Sequence, residues 1–156
     1  PYIKTIGYNA FRNCVTLREC VVSQGISCPH VTSVGKAAFA NCKRINSISF
    51  PLLDKIDDNT FSGCAMLTSV YLDRVTRVED FAFARCASLQ QIDLPNVTHI
   101  GNSAFDSCQS LVTVNSPLLR ALNPGVFNRC YCLENITMEN VIAISGRACE
   151  RCAKLE

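Results

Sequence analysis

The sequence predicts an α/β-type repeat solenoid of about 22 residues per coil, with parallel strands along one side and turns or short 3-10 segments opposite. Three recurrences carry this reading. Phe11, Phe39, Phe61, Phe83, Phe105 and Phe127 each open an F-x-x-C-x-x-[LI] segment, and Cys149 holds the same place in a seventh copy. Three residues on stands a cysteine column of Cys14, Cys42, Cys64, Cys86, Cys108, Cys130 and Cys152, and three beyond that an aliphatic column of Leu17, Ile45, Leu67, Leu89, Leu111, Leu133 and Leu155. After Phe39 the step is a strict 22, and a fixed period of that length is the mark of stacked, self-similar coils.

Each copy continues with the apolar alternation of a half-buried strand, as in Ile48-x-Phe50, Val70-x-Leu72, Ile92-x-Leu94, Val114-x-Ser116 and Ile136-x-Met138. Pro51, Pro95 and Pro117 follow three of these segments and end them, because proline has no amide to donate to a ladder. A second apolar pair, three apart, comes next: Leu53/Ile56, Val75/Val78, Val97/Ile100, Leu119/Leu122 and Val141/Ile144. Gly7, Gly35 and Gly101 follow that pair in some copies and Asp57, Glu79, Asn123 and Ser145 in others, so glycine reads as tolerated there and not required. The short A-F or T-F segment leaves too little chain for a full α-helix and reads as a turn or a piece of 3-10 helix. One such unit cannot bury its apolar positions alone, whereas strands stacked at about 4.8 Å give a continuous slab on the order of 30 Å long.

The repeat C-x-x-L-x-x-I-x-L-P-x-[LV]-x-x-I-x-x-x-A-F-x-x-C, as it stands from Cys86 to Cys108, resembles the leucine-rich repeat subfamily called BspA-like or Treponema-type, and the resemblance spans essentially the whole chain. It implies a right-handed superhelix with the parallel sheet on its concave face, a non-enzymatic role in protein recognition and adhesion, and no cofactor. The family's usual unit is a residue longer, and here the first interval runs to 28, so an exact curvature does not transfer.

The departures from the period are local. Six extra residues fall between Arg18 and His30, where either Cys20/Val22 or Ile26/Cys28 can fill the inward pair of the strand. Such an insertion becomes a loop on one face, often the binding face, or a bulge that touches nothing. Ser116 stands where the pattern wants leucine, so a larger neighbour fills the space or the core is thin there. Both ends of the chain lie inside the repeat, which reads as one domain over residues 1–156, of six to seven repeats, cut from a longer protein.

Composition narrows the function. With 156 residues, 48% apolar and 18% charged, the chain can bury a core, and its net charge of +2 is scattered, without the clustered basic stripe that nucleic acid or an anionic membrane needs. No apolar run is long enough for a membrane-spanning helix. Eleven cysteines make an odd count, so they cannot all pair within the chain. Metal sites want clustered thiolates, and here the cysteines recur once per coil where a small apolar residue belongs, so the column reads as structural and metal-free. Cys149-x-x-Cys152 looks like a redox motif but arises because cysteine replaces phenylalanine in that copy; a Cys20–Cys28 bridge across the insertion is left open by the sequence. His30 and His99 sit at different places in distant coils, no nucleophile elbow or phosphate-cradling loop occurs, and Asp57-Asp58 reads as a solvated turn, so no catalytic residues are assigned.

The outward strand positions carry the candidate site. Ser47, Ser49, Ser69, Tyr71, Gln91, Asp93, Thr113, Asn115, Asn135 and Thr137 make a polar, nearly uncharged surface with one aromatic anchor. Such side chains offer adaptable hydrogen bonds, or simply solvate a sheet. Arg85, Arg129 and Arg151 share another column as a weak basic stripe, and Asn96 and Asn135 open glycosylation acceptor motifs, the second on the proposed surface. The sequence is therefore read as a protein-recognition module, with adhesion at a cell surface as the expected setting and an intracellular scaffold as the alternative. Its protein partner is unspecified, and exposed terminal coils could also self-associate.

Overall fold

A computed structural model describes residues 3–17 and 26–155. Thirteen short strands, β1 (Thr5–Ile6) to β13 (Ala143–Ile144), run through the described residues and pair only in parallel, each with its counterpart one coil away. The longer file comprises β2 (Ile26–Ser27), β4 (Ser47–Ser49), β6 (Ser69–Tyr71), β8 (Gln91–Asp93), β10 (Thr113–Asn115) and β12 (Asn135–Thr137). It divides into two three-stranded sheets, ordered β2-β4-β6 and β8-β10-β12. The second apolar pair of each copy ends in another strand of two residues, giving β3 (Ser33–Val34), β5 (Lys55–Ile56), β7 (Arg77–Val78), β9 (His99–Ile100) and β11 (Ala121–Leu122) along a second side. The register advances by one repeat at each step, as in Val114 between Ile92 and Ile136.

Of the two alternatives for the first strand, the structure takes Ile26: it is buried and pairs with Ile48, so the inserted residues all precede β2. Cys20 and Val22, and with Cys20 the bridge to Cys28, lie outside the described residues.

The third side corrects the α/β and 3-10 expectation: no helix of either kind occurs among the described residues. Every coil instead places two residues in the left-handed region, two before and two after the phenylalanine position. Asn59 and Gly63, Phe81 and Arg85, and Ser103 and Ser107 are examples, with φ between 52° and 75°. A helix cannot propagate through such residues, because it requires right-handed dihedrals at every step. The left-handed residues turn alternate amides out of the coil. Those of Asn59, Phe61 and Gly63 donate across to Asp80, Ala82 and Ala84 of the next coil at 3.0, 2.9 and 2.8 Å. The amides between them fold back three residues, as Ser62 to Asn59 at 3.1 Å and Cys64 to Phe61 at 3.2 Å. The turn side is thus a hydrogen-bonded ladder between coils, and a full accounting of its amides requires no helix.

Inside, one continuous apolar core runs the length of the chain. The phenylalanine rings form a stack from Phe11 to Phe127, with centroids 5.2 to 5.6 Å apart and planes within 19° of parallel. Phe50 tilts against Phe39 and Phe61 from the strand side. Burying each ring stabilises the coil by roughly 1.5–3 kcal/mol. Ser116 is fully buried and its hydroxyl has no hydrogen-bond partner among the described residues.

Two glycines prove to be required. A Cβ on Gly35 would stand 2.7 Å from the Tyr8 amide, and one on Gly101 would stand 2.6 Å from the Asp80 amide, because the backbone of the preceding coil passes so close there. At Gly7 the space is open, which is the tolerance the sequence suggested for all three.

Candidate functional site

Because strand side chains alternate between faces, each three-residue strand sends its middle residue inward and its two flanking residues out. All ten residues expected on the surface therefore share one face, in two files set by the register. One file is Ser47, Ser69, Gln91, Thr113 and Asn135; the other is Ser49, Tyr71, Asp93, Asn115 and Thr137. The inward residues Ile48, Ile92 and Val114 are buried behind them. Tyr71, 58% exposed, is the one aromatic side chain in the two files.

The face is not uniform. β6 and β8 lie side by side, yet no ladder pairing joins them. Elsewhere the strand amides reach the preceding coil, as Ser69 to Asn46 at 3.2 Å and Asn135 to Val112 at 3.1 Å. A shallow groove of about 450 Å³ opens along the unpaired seam, lined by Ser69, Tyr71 and Asp73 on one bank and Gln91, Asp93 and Asn115 on the other, with Val70 half-buried at its floor. Asp93 Oδ1 accepts a hydrogen bond from Asn115 Nδ2 at 2.6 Å, which fixes both planar groups. No ion pair among the described residues reaches Asp73 or Asp93, although other carboxylates hold lysine or arginine partners, such as Asp58 with Lys36 at 2.7 Å. The groove thus offers one aromatic face, two carboxylates without basic partners and several short hydroxyl and amide groups. Asp73 and Thr68 also line it but were missed by sequence reasoning, since Asp73 occupies the proline position of the repeat and signals only the end of a strand.

The cysteine column lies away from this face. Cys42, Cys64, Cys86, Cys108 and Cys130 are buried, while Cys14 and Cys152 are half-buried. Each thiol from Cys42 onward donates to the carbonyl of a phenylalanine in the preceding coil, for example Cys64 to Phe39 at 3.3 Å and Cys108 to Phe83 at 3.2 Å. Burial pushes these thiols up, to about 11 at Cys42 and about 12 at Cys130, so they stay protonated and bound to backbone at neutral pH. Among the described residues no group of three or more cysteine, histidine or acidic side chains is placed to hold a metal. His99 sits 3.7 Å from Glu79, which also takes Arg77 at 2.9 Å. Arg85, Arg129 and Arg151 hold the same left-handed position in their coils, and Arg129 reaches Asp106 at 4.0 Å.

Parallel strands at a 22-residue step, a phenylalanine stack and a thiol column together define one coil type, and that type is recognised. The BspA type leucine rich repeat region matches residues 4–118 and 54–156, in six copies. The chain belongs to the BspA-type leucine-rich repeat family. Solved structures of the same fold include a leucine-rich repeat protein from Bacteroides ovatus, 32% identical with a TM-score of 0.89 over 99% of this chain. The T. pallidum leucine-rich repeat protein is 26% identical, also at a TM-score of 0.89 over 99% of this chain and 72% of its own. A leucine-rich cell surface protein from Faecalibacterium prausnitzii shares the fold at 20% identity and a TM-score of 0.52. This BspA-type chain spans 40% of the length of the Bacteroides ovatus protein. Among curated proteins no sequence matches it. Among the described residues, no helix is long and apolar enough to cross a membrane.

Proposed function

We propose that this BspA-type chain is a non-enzymatic protein-recognition module whose contact surface is the face of β4, β6, β8, β10 and β12, centred on the groove between β6 and β8. The observation that carries this reading is the groove itself: an exposed Tyr71 beside Asp73 and Asp93, two carboxylates that no basic side chain among the described residues pairs with. A partner strand or loop that brings arginine or lysine gains an ion pair, a cation–π contact with the tyrosine ring and hydrogen bonds from the serine, threonine and amide groups. The superhelix of the family would place this face on the concave side, where several coils contact one partner together. Adhesion at a cell surface is the setting we infer, and the family membership supports it.

The test is an immobilised peptide array that varies only basic, acidic and neutral side chains at matched length. Basic peptides should be retained, with retention falling steeply in salt. The double variant Tyr71→Ala with Asp93→Lys should abolish retention, while Lys36→Glu on the turn side should leave it unchanged. Equal retention by both variants would place the contact elsewhere. Antibody staining of unpermeabilised cells that express this protein should label their surface; staining only after permeabilisation would favour the intracellular scaffold.

A further inference from the structure

In the file of strands that carries β6 and β8, the step between these two lacks backbone bonds that the neighbouring steps make. The amides of Thr68, Val112 and Glu134 each donate one coil back, to Asn46, Gln90 and Val112 at 2.8, 2.8 and 3.0 Å. The Gln90 amide stands in the same position and makes no such bond to Thr68. Nor does the Gln91 amide, although Ser69, Thr113 and Asn135 each donate one coil back from the equivalent place. At the other end of the strand, Phe50, Leu94 and Ser116 donate one coil on, to Tyr71, Asn115 and Thr137 at 3.3, 2.8 and 2.9 Å, while Leu72 makes no such bond to Asp93. The seam thus opens the carbonyls of Thr68 and Asp93 as acceptors and the amides of Leu72 and Gln91 as donors. All of these residues line the groove. Main-chain polar groups call for a partner, so the groove has hydrogen-bonding capacity to fill as well as charge.

We propose that the seam between β6 and β8 is an arginine-selective receptor, in which a partner's guanidinium lies against the Tyr71 ring and donates to the open carbonyls and carboxylates. This selectivity rests on the reading of the groove as the contact for a basic partner, and specifies which basic side chain it takes. Asp73 and Asp93 have no basic partner among the described residues, and Asp93 Oδ1 takes Asn115 Nδ2 at 2.6 Å while its Oδ2 stays open. The Thr68 and Asp93 carbonyls add to these, so acceptors prevail in a groove that also holds a tyrosine ring 58% exposed. A guanidinium is planar, carries its N–H donors in a fixed fork, has no acceptor and stacks on aromatic faces, so it meets several of these acceptors at once while lying flat. An ammonium is a compact, strongly hydrated charge with all its donors on one atom. It matches the charge of the groove without matching the spread of its acceptors. The Leu72 and Gln91 amides are left to donate to a main-chain carbonyl of the same partner segment.

The experiment is a nuclear magnetic resonance titration of the folded chain with three probes: N-acetyl-arginine methylamide, its lysine counterpart, and the asymmetrically dimethylated arginine derivative. The last keeps the charge but blocks two-pronged hydrogen bonding. In the free chain the amides of Leu72 and Gln90 should exchange with solvent at least about tenfold faster than their bonded counterparts at Leu94 and Val112. The arginine probe should shift the Leu72, Gln91 and Asp93 resonances saturably and bind about tenfold more tightly than either of the others, the gain expected of charge-assisted, forked hydrogen bonds. Asp93→Asn should weaken the arginine probe, and Tyr71→Leu should narrow its advantage over lysine. Equal exchange at the seam and in the bonded coils, or equal affinity for arginine and lysine at the groove, would overturn the arginine selectivity and leave the basic contact standing. Shifts confined to other faces, or none with any probe, would overturn both.

Discussion

On the turn side of the coil, Phe61, Phe83 and Phe105 stack nearly parallel, each followed by a thiol that returns to the carbonyl of an earlier ring, and the backbone itself hydrogen-bonds from coil to coil. On the strand side, positions one coil apart hold Ser49, Tyr71, Asp93 and Asn115, and the ladder is broken between β6 and β8. Both sides follow one 22-residue step. The difference is that the turn side leaves no volume for choice, since each ring and thiol is enclosed by its neighbours above and below, whereas outward strand residues meet solvent and are constrained only at Cα. Uniformity therefore marks where stability resides, and variation marks where a partner can be chosen.

The largest expected break in this contrast is Phe83→Ala. Removing a fully buried ring from the middle of the stack should cost roughly 3–5 kcal/mol, read as a lower denaturant midpoint with the slope of the transition retained. A cost below about 1 kcal/mol would mean that the coils are held by their backbone ladders and not by the stack.

The thiol column gives a second handle through pH. Its folded-state thiols lie above their unfolded values, so they contribute stability that is fully present below about pH 9 and is lost as pH rises through about 11 at Cys42 and about 12 at Cys130. Unfolding midpoints should fall on alkaline titration, and the variant Cys86→Ala with Cys108→Ala should flatten that fall. An unchanged alkaline slope in the variant would show that these thiols ionise as readily in the folded chain as in the unfolded one.

Smaller, and confined to the backbone of the turn side, is the effect of Gly63→Ala. Gly63 holds φ 75°, and a Cβ there would collide with the Asn41 side chain. The left-handed conformation alone costs an alanine about 1–2 kcal/mol, so the thermal midpoint should drop measurably while the ring stack stays intact. Near-equality with the unmutated chain would indicate that the turn ladder relaxes freely and does not fix the coil.

How much of this was legible in the sequence follows the same division. The step, the ring column and the strand faces were readable because an enclosed site admits one kind of side chain, and repetition of that kind is visible. The left-handed positions were not, because they hold Asn59, Phe81, Ser103 and Arg147 alike; the backbone ladder imposes the conformation and no shared side chain announces it. Gly35 and Gly101 were read as tolerated for the same reason: the passing backbone that requires them lies 27 or 21 residues away in sequence. Of the candidate surface, all ten residues fell on one face, yet its focus escaped the pattern. Val70, Tyr71 and Leu72 keep the alternation of every other copy, and nothing in that alternation says that β6 and β8 fail to pair.

Tyr71→Ala should produce the smallest change in stability and the sharpest separation of the two sides. The ring is 58% exposed, so its removal takes little apolar area out of contact and creates no cavity, and unfolding should shift by no more than about 0.5 kcal/mol. Binding should respond differently, because an exposed aromatic beside two carboxylates supplies the flat, rigid contact against which a basic side chain is desolvated, and such residues carry a disproportionate share of interface energy, typically about 2 kcal/mol or more. The informative measurement pairs chemical denaturation with retention on basic peptides for the same variant. Loss of retention with unchanged stability assigns Tyr71 to recognition. Loss of both would mean that the ring supports the seam between β6 and β8, and the strand side would then share the structural role assigned here to the turns.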